Sequence, residues 1–133
     1  MITRRSAVTI LASLGLVPST MTAWADAPLF QDYSPAAFEA AIAAGKPVLV
    51  AIHAGWCPTC RVQRSILSGL MIKPEFKDLL ILRVDFDGQR PVVAGFGAHS
   101  QSTLIMFKGK AEMGRSVGDT NEQRIEELLR SGI

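Results

Sequence analysis

Val48-Leu49-Val50-Ala51-Ile52, followed closely by Trp56-Cys57-Pro58-Thr59-Cys60, is the stretch that decides how this chain folds. The first run is continuously apolar and rich in β-branched residues, which suits a central strand covered on both faces. The second holds both cysteines of the protein, two residues apart, at the start of a helix-like run. A thiol pair so placed is the arrangement for reversible dithiol–disulfide chemistry. If Cys57 caps the helix and Cys60 lies in its first turn, the sulfurs are close enough to bridge, with Cys57 exposed and Cys60 more buried. The positive helix end and the unpaired first-turn amides would favour a thiolate at Cys57, making it the attacking thiol. Cys60 would then resolve the mixed disulfide. Pro58 suits the first helical position, where a missing N–H costs nothing. Helical spacing predicts that Val62, Ile66, Leu67 and Leu70 dock the helix, while Arg61, Gln63, Arg64 and Ser68 face elsewhere.

Upstream, Arg4-Arg5, an apolar run from Ala7 to Val17, Pro18 and the closing Ala23-Trp24-Ala25 read as a secretory signal peptide over residues 1–25, cut after Ala25. About 11 apolar residues are too few to span a bilayer. Thr3-Arg4-Arg5 resembles a twin-arginine signal, but Ala7-Val8-Thr9 follow in place of its usual apolar continuation, so ordinary Sec export is the expectation and the twin-arginine route the alternative. Removing Arg4 and Arg5 takes Lys+Arg from 14 to 12 against 12 Asp+Glu, all of them from Asp26 onward, so the remaining chain is neutral. Nothing in that balance supports nucleic-acid binding, and the membrane is involved only during export. Export also places the thiols in an oxidising compartment, where a structural disulfide is the alternative. A bridge closing so short a loop restrains the unfolded chain little, which favours the redox reading.

Residues 26–133 read as one α/β domain with 48% apolar content in the whole chain to build a core. Leu29-Phe30-Gln31 suits an edge strand. Ser34-Pro35 opens a helix carrying Phe38 and Ile42 on one face, closed by Gly45 and Pro47. After the cysteine helix, Lys73-Pro74-Glu75 breaks the chain before a short helix ending near Leu79-Leu80. Leu82, Val84 and Phe86 alternate with Arg83, Asp85 and Asp87 as a strand. A helix is predicted within Gly88 to Phe96, and a loop from Gly97 to Ser102. Thr103–Phe107 and Ala111–Val117 form a hairpin about Lys108-Gly109-Lys110. Thr120 and Gln123 suggest a capping box for a last helix whose Ile125, Leu128 and Leu129 face the core.

This order, with the redox pair after the second strand, resembles the thioredoxin family from about Leu29 to the end. The residues that carry the resemblance are Trp56-Cys57-Pro58-Thr59-Cys60, Val84-Asp85-Phe86-Asp87, Thr103-Leu104-Ile105-Met106-Phe107-Lys108-Gly109 and Val117-Gly118. It implies a three-layer fold, a central mixed sheet flanked by helices, with the cysteines at the carboxyl edge of a central strand. Three departures stand out. Where the family has a cis-proline facing the cysteines, this chain has Ser102, after Gln101; a cis bond there would cost about 3 kcal/mol without proline. The Ser102 hydroxyl either donates to the Cys57 thiolate or fills space. Where cytosolic thioredoxins bury an acid beneath the resolving cysteine, this chain has Ala51, with Arg83 in the basic partner's place, so Cys60 must lose its proton to water or another group. The pair between the cysteines is Pro58-Thr59 rather than Gly-Pro.

His53 lies close enough in sequence to Cys57 to stabilise its thiolate when protonated, and His99 lies in the loop before Ser102; an ordinary loop or core histidine is the competing reading of each. Two cysteines and two histidines make a metal site arithmetically possible, yet zinc-finger spacing is absent, so no metal and no cofactor are expected. Trp56 is read as a partner-contact residue shielding Cys57. Trp56, Pro58, Thr59, Gln101, Ser102 and His53 are thus the predicted substrate-binding or tuning residues around the catalytic Cys57 and Cys60. The expectation is a monomeric, periplasmic thiol–disulfide oxidoreductase that exchanges disulfides with protein substrates, with the reductase direction preferred. The resemblance implies a membrane-bound redox partner, a donor that keeps it reduced, or an oxidase that reoxidises it if it makes disulfides. The alternative is a binding module holding Cu(I), or one partner protein, as an assembly factor.

Overall fold

In the computed structural model, which describes residues 29–133, five strands and four α-helices follow one another in the predicted order. They are β1 (Phe30–Asp32), α1 (Pro35–Ala43), β2 (Pro47–His53), α2 (Pro58–Leu70), β3 (Leu80–Asp85), α3 (Arg90–Gly95), β4 (Thr103–Lys108), β5 (Ala111–Val117) and α4 (Glu122–Arg130). The predicted signal peptide at 1–25 and the predicted domain start at residue 26 lie outside the described residues.

The five strands make one mixed sheet in the order β1-β3-β2-β4-β5. β1 and β2 run parallel to β3, whereas β4 is antiparallel to both β2 and β5. β2 is central because every residue from Val48 to Ile52 is buried. Its side chains alternate between faces as strand geometry requires. Leu49 and Ala51 join Leu67, Leu70, Ile125 and Leu129 under α2 and α4. Val48, Val50 and Ile52 pack toward α1 and α3 with Ala41 and Val93. Tyr33, Phe38, Phe96 and Phe107 close that second layer, with Phe38 edge-on to Phe96 at 5.3 Å and to Phe107 at 5.2 Å. Such pairs add about 0.5–1.5 kcal/mol beyond their buried area.

Three local expectations are corrected. Lys73-Pro74-Glu75 is followed by a single 3-10 turn, Pro74–Phe76, rather than a helix reaching Leu80, because β3 begins at Leu80 to pair with β2. The β3 strand ends at Asp85, and Phe86 turns away from it. The last helix is capped by Asn121, not by Thr120: Asn121 Oδ1 accepts the Arg124 N–H at 3.0 Å. Asp119 Oδ1 accepts the Asn121 N–H at 2.9 Å, so this local side-chain turn sets the cap one residue later.

Candidate functional site

The C-terminal end of β2 delivers the chain to α2, and Cys57 sits at the helix N-cap with extended backbone. Pro58 follows at the first helical position, and no acidic side chain occupies the first turn. The Cys57 sulfur takes the role usually filled by a serine or aspartate oxygen, accepting the Cys60 N–H at 3.1 Å. Cys57 and Cys60 are joined as a disulfide across a Cα separation of 5.3 Å.

Opposite the pair stands Ser102. Its Oγ lies 3.1 Å from the Cys57 sulfur and 3.3 Å from the Cys60 sulfur. Neither sulfur of a disulfide carries a proton, so the hydroxyl is the donor and both sulfurs are acceptors. The hydroxyl is thus within hydrogen-bond reach of both sulfurs of the disulfide. The peptide bonds among the described residues are all trans, and Ser102 is the one non-glycine there with positive φ, 63°. A residue with a Cβ pays about 1–2 kcal/mol for that backbone. Three hydrogen bonds hold it: the Ser102 N–H donates to the Ile52 carbonyl at 2.8 Å, and the Ser102 carbonyl accepts the Gly118 N–H at 2.9 Å and the Gln63 side-chain amide at 3.1 Å. Gly118 has φ 69°, which lets the chain leave β5 with that N–H turned back toward Ser102.

Gln63 is the residue that the sequence pattern misplaced. Expected to face away from the core, it is 3% exposed, whereas Val62, expected to dock the helix, is 45% exposed. The buried positions of α2 are Cys60, Gln63, Leu67 and Leu70, a 3-4-3 spacing anchored by the cysteine itself. Gln63 meets the demand of burial with two bonds, to the Ser102 carbonyl and, at 2.9 Å, to the Asp119 carbonyl. It thereby ties the cysteine helix to the Ser102 loop and to the approach of α4. Counting from Cys60 instead of from the apolar residues would have found it.

Exposure of the two sulfurs differs from expectation as well. Cys57 is 2% exposed and Cys60 8%, so the first cysteine is not the open one. Its sulfur folds back onto the first turn as the N-cap acceptor, under Ser102, and packs with Ala54, Cys60 and Phe86. Trp56 is the exposed neighbour, at 58%, with its indole N–H donating to Asp87 Oδ2 at 2.7 Å. Pro58 is exposed, and Thr59 and Gln101 are half-buried beside the pair.

Behind Cys60 lies a cavity of about 340 Å³ whose walls include Ala51, His53, Gln63, Arg64 and Arg83. Ala51 is in register with Arg83 on β3, and among the described residues no carboxylate lines the space. Arg83 donates to Asp32 Oδ1 at 3.0 Å, while its Nε is buried without a partner among the described residues. His53 faces this cavity on the Cys60 side. Burial, and next the charge of Arg83, hold its imidazole below the ordinary value of 6.5. That disfavours the imidazolium on which a role beside the Cys57 thiolate would depend. His99 is exposed in its loop, and Lys108 and Lys110 lie on the solvated hairpin turn. Among the described residues, no group of three or more His, Cys, Asp or Glu side chains is placed to hold a metal ion.

A reduced pair in this setting would present Cys57 to one amide donor, one hydroxyl donor and the positive end of a 13-residue helix. Those donors face the charge that a thiolate at Cys57 would carry. Residues 30–131 match the thioredoxin family. The chain is 35% identical over 92 residues to a thioredoxin of Chlamydia muridarum, and 30% identical over 92 residues to one of Alicyclobacillus acidocaldarius; each alignment covers 69% of this chain and 87% of the relative. The crystal structure of Trxlp from Edwardsiella tarda superposes with a TM-score of 0.73 at 39% identity, covering 75% of this chain and 97% of that one.

Proposed function

This chain belongs to the thioredoxin family and is a protein-disulfide oxidoreductase, and from that premise we propose that it is an exported reductase of protein disulfides. Cys57 attacks the substrate disulfide and Cys60 resolves the resulting mixed disulfide. The observation that carries the assignment is the N-cap geometry of Cys57, whose sulfur alone faces both the first-turn amide and the helix end. Cys60, one turn in and backed by the cavity, is positioned to attack Cys57.

Export is supported by the Arg4-Arg5, Ala7–Val17 and Ala23-Trp24-Ala25 pattern, which stands ahead of the family match at residues 30–131 and directs the chain to the periplasm by the Sec or the twin-arginine route. The reductase direction is supported by the neutrality of Ala54, Gly55, Trp56 and Phe86, the uncharged neighbours of Cys57, which add no stabilisation of their own to the thiolate. A reductase in an oxidising compartment needs electrons, so a membrane-bound donor is its partner and the chain works as a monomer. Trp56, Pro58, Thr59 and Gln101 form the surface a substrate meets.

The test is the equilibrium of the Cys57–Cys60 pair in graded glutathione buffers, where about 30 mV corresponds to tenfold. A potential well below the compartment's poise supports the reductase; one above it reverses the direction. In the same series Cys60→Ser should accumulate mixed disulfide with a protein substrate and Cys57→Ser should not. A pair that fails to turn over and instead retains stoichiometric Cu(I) would replace this reading with the metal-binding or assembly alternative.

A further inference from the structure

Ser102 touches both reacting sulfurs, yet in the disulfide it has one proton to offer and two acceptors to satisfy. The mismatch disappears on reduction. Two electrons and one proton delivered to the bridge give a thiolate and a thiol, and a hydroxyl between them accepts from the S–H while donating to the S⁻. We propose that the Ser102 hydroxyl, held in place by Gln63, is a two-way bridge in the reduced pair that keeps the single proton on Cys60 and the negative charge on Cys57. The inference rests on the reading of Cys57 as the attacking thiol and adds the device that fixes which sulfur is ionised.

Asymmetry of the surroundings sets the direction of the bridge. Cys57 already accepts the Cys60 N–H and stands at the positive helix end, so the hydroxyl proton turns toward Cys57 and its lone pairs toward Cys60. Among the described residues no carboxylate lines the cavity behind Cys60, and the Ser102 oxygen, 3.3 Å from the Cys60 sulfur, is the side-chain acceptor within hydrogen-bond reach of the Cys60 S–H. The reduced pair therefore gains two hydrogen bonds, one to a charge, where the disulfide has one neutral donor to share. Ser102 raises the stability of the dithiol relative to the disulfide and makes the protein a milder reductant than the same site without the hydroxyl. Gln63 is a positioning residue in this scheme. Its amide grips the Ser102 carbonyl and holds the left-handed backbone that aims the hydroxyl between the sulfurs.

Ser102→Gly is the decisive variant, because glycine accepts φ 63° without strain and removes only the hydroxyl arm. Its thermal stability should equal or exceed that of the parent. Its dithiol–disulfide equilibrium with glutathione should move toward disulfide by about tenfold or more, the range for a hydrogen bond to a charged group. The pH midpoint for alkylation of Cys57 by iodoacetamide should rise with it. Ser102→Ala, which keeps the Cβ, should give the same shifts, and Gln63→Leu a smaller one in the same direction. Shifts under about threefold in both serine variants, or an alkylation midpoint that stays put, would overturn the bridge. The two readings fail separately: the parent's own potential judges the reductase direction, while the difference between Ser102 and its replacements judges the bridge.

Discussion

Replacing Gln63 with leucine tests the tie between the cysteine helix and the loop that faces it. The amide makes two bonds, to the Ser102 carbonyl at 3.1 Å and the Asp119 carbonyl at 2.9 Å. Each such bond contributes about 1 kcal/mol net. The Ser102 carbonyl keeps the Gly118 N–H as a partner, so it is weakened rather than orphaned. The Asp119 carbonyl loses its side-chain donor and recovers part of the loss from water at the surface. Leucine methyls beside Leu67 return a further fraction. The expected loss is therefore about 1–2 kcal/mol in urea unfolding, or a Tm lower by roughly 4–12 °C for a domain of about 100 residues. The adjacent Val62→Gln, on the exposed side of the same turn, should change stability by less than about 0.5 kcal/mol. An apolar-for-polar change that destabilises, next to a polar-for-apolar change that does not, is the opposite of what hydrophobicity ranks. A loss below about 0.5 kcal/mol in Gln63→Leu, or an equal loss in Val62→Gln, would refute the tie.

Two further outcomes follow from the same packing. His53 titrates below its ordinary value in the folded chain because burial, and after it Arg83, disfavour the imidazolium, with Asp85 and Asp32 opposing and Arg64 adding. A depressed folded value means that its contribution to stability is present above about pH 6.5 and is lost as pH falls through the folded value. Between about pH 7 and 5 the Tm of the parent should thus fall more steeply than that of His53→Gln, and parallel curves would show that His53 is not the group responsible. Gly132→Ala would drive a Cβ into the Met106 side chain, with the Phe107 carbonyl 3.2 Å away. Met106 is fully buried and cannot swing clear, so urea unfolding should report a loss of about 1–3 kcal/mol; an unchanged midpoint would mean that the α4 end moves freely off β4.

The fold was legible because its signals are local and agree with one another. A five-residue apolar strand, two prolines at helix starts and a hairpin turn each fix an element, and together they leave one order of strands and helices. The cysteine pair was legible for the same reason, since the spacing alone brings the sulfurs together. What the sequence pattern misread lies where a contact crosses the chain. Gln63 and Ser102 are 39 residues apart, and nothing in either neighbourhood announces that one will accept the other's amide. A polar residue on a helix is assigned to solvent by default, and only the fixed phase of Cys60 shows that Gln63 shares its buried face. The exposure of Cys57 was misjudged on similar grounds, because the lid over it is supplied by Ser102 from 45 residues away. Thr120 lost the cap to Asn121 through a side-chain turn at Asp119, a choice between neighbours that propensity does not separate.

Putting serine where the family has proline changes more than one side chain. The Ser102 N–H is committed to the Ile52 carbonyl, and its carbonyl to Gly118 and Gln63, so neither backbone group is free to pair with an incoming strand. Strand pairing with a substrate would fall to a neighbour such as Gln101, and side-chain contacts to the rim, where Trp56 and Val117 are exposed and Val117 pairs with Thr103, the residue after Ser102. Side-chain contacts of that kind select by shape where strand pairing selects by backbone, which every protein has. Under the proposed bridge, the residue that joins the two sulfurs is also one whose own backbone offers nothing to an incoming strand, and both properties depend on one buried amide.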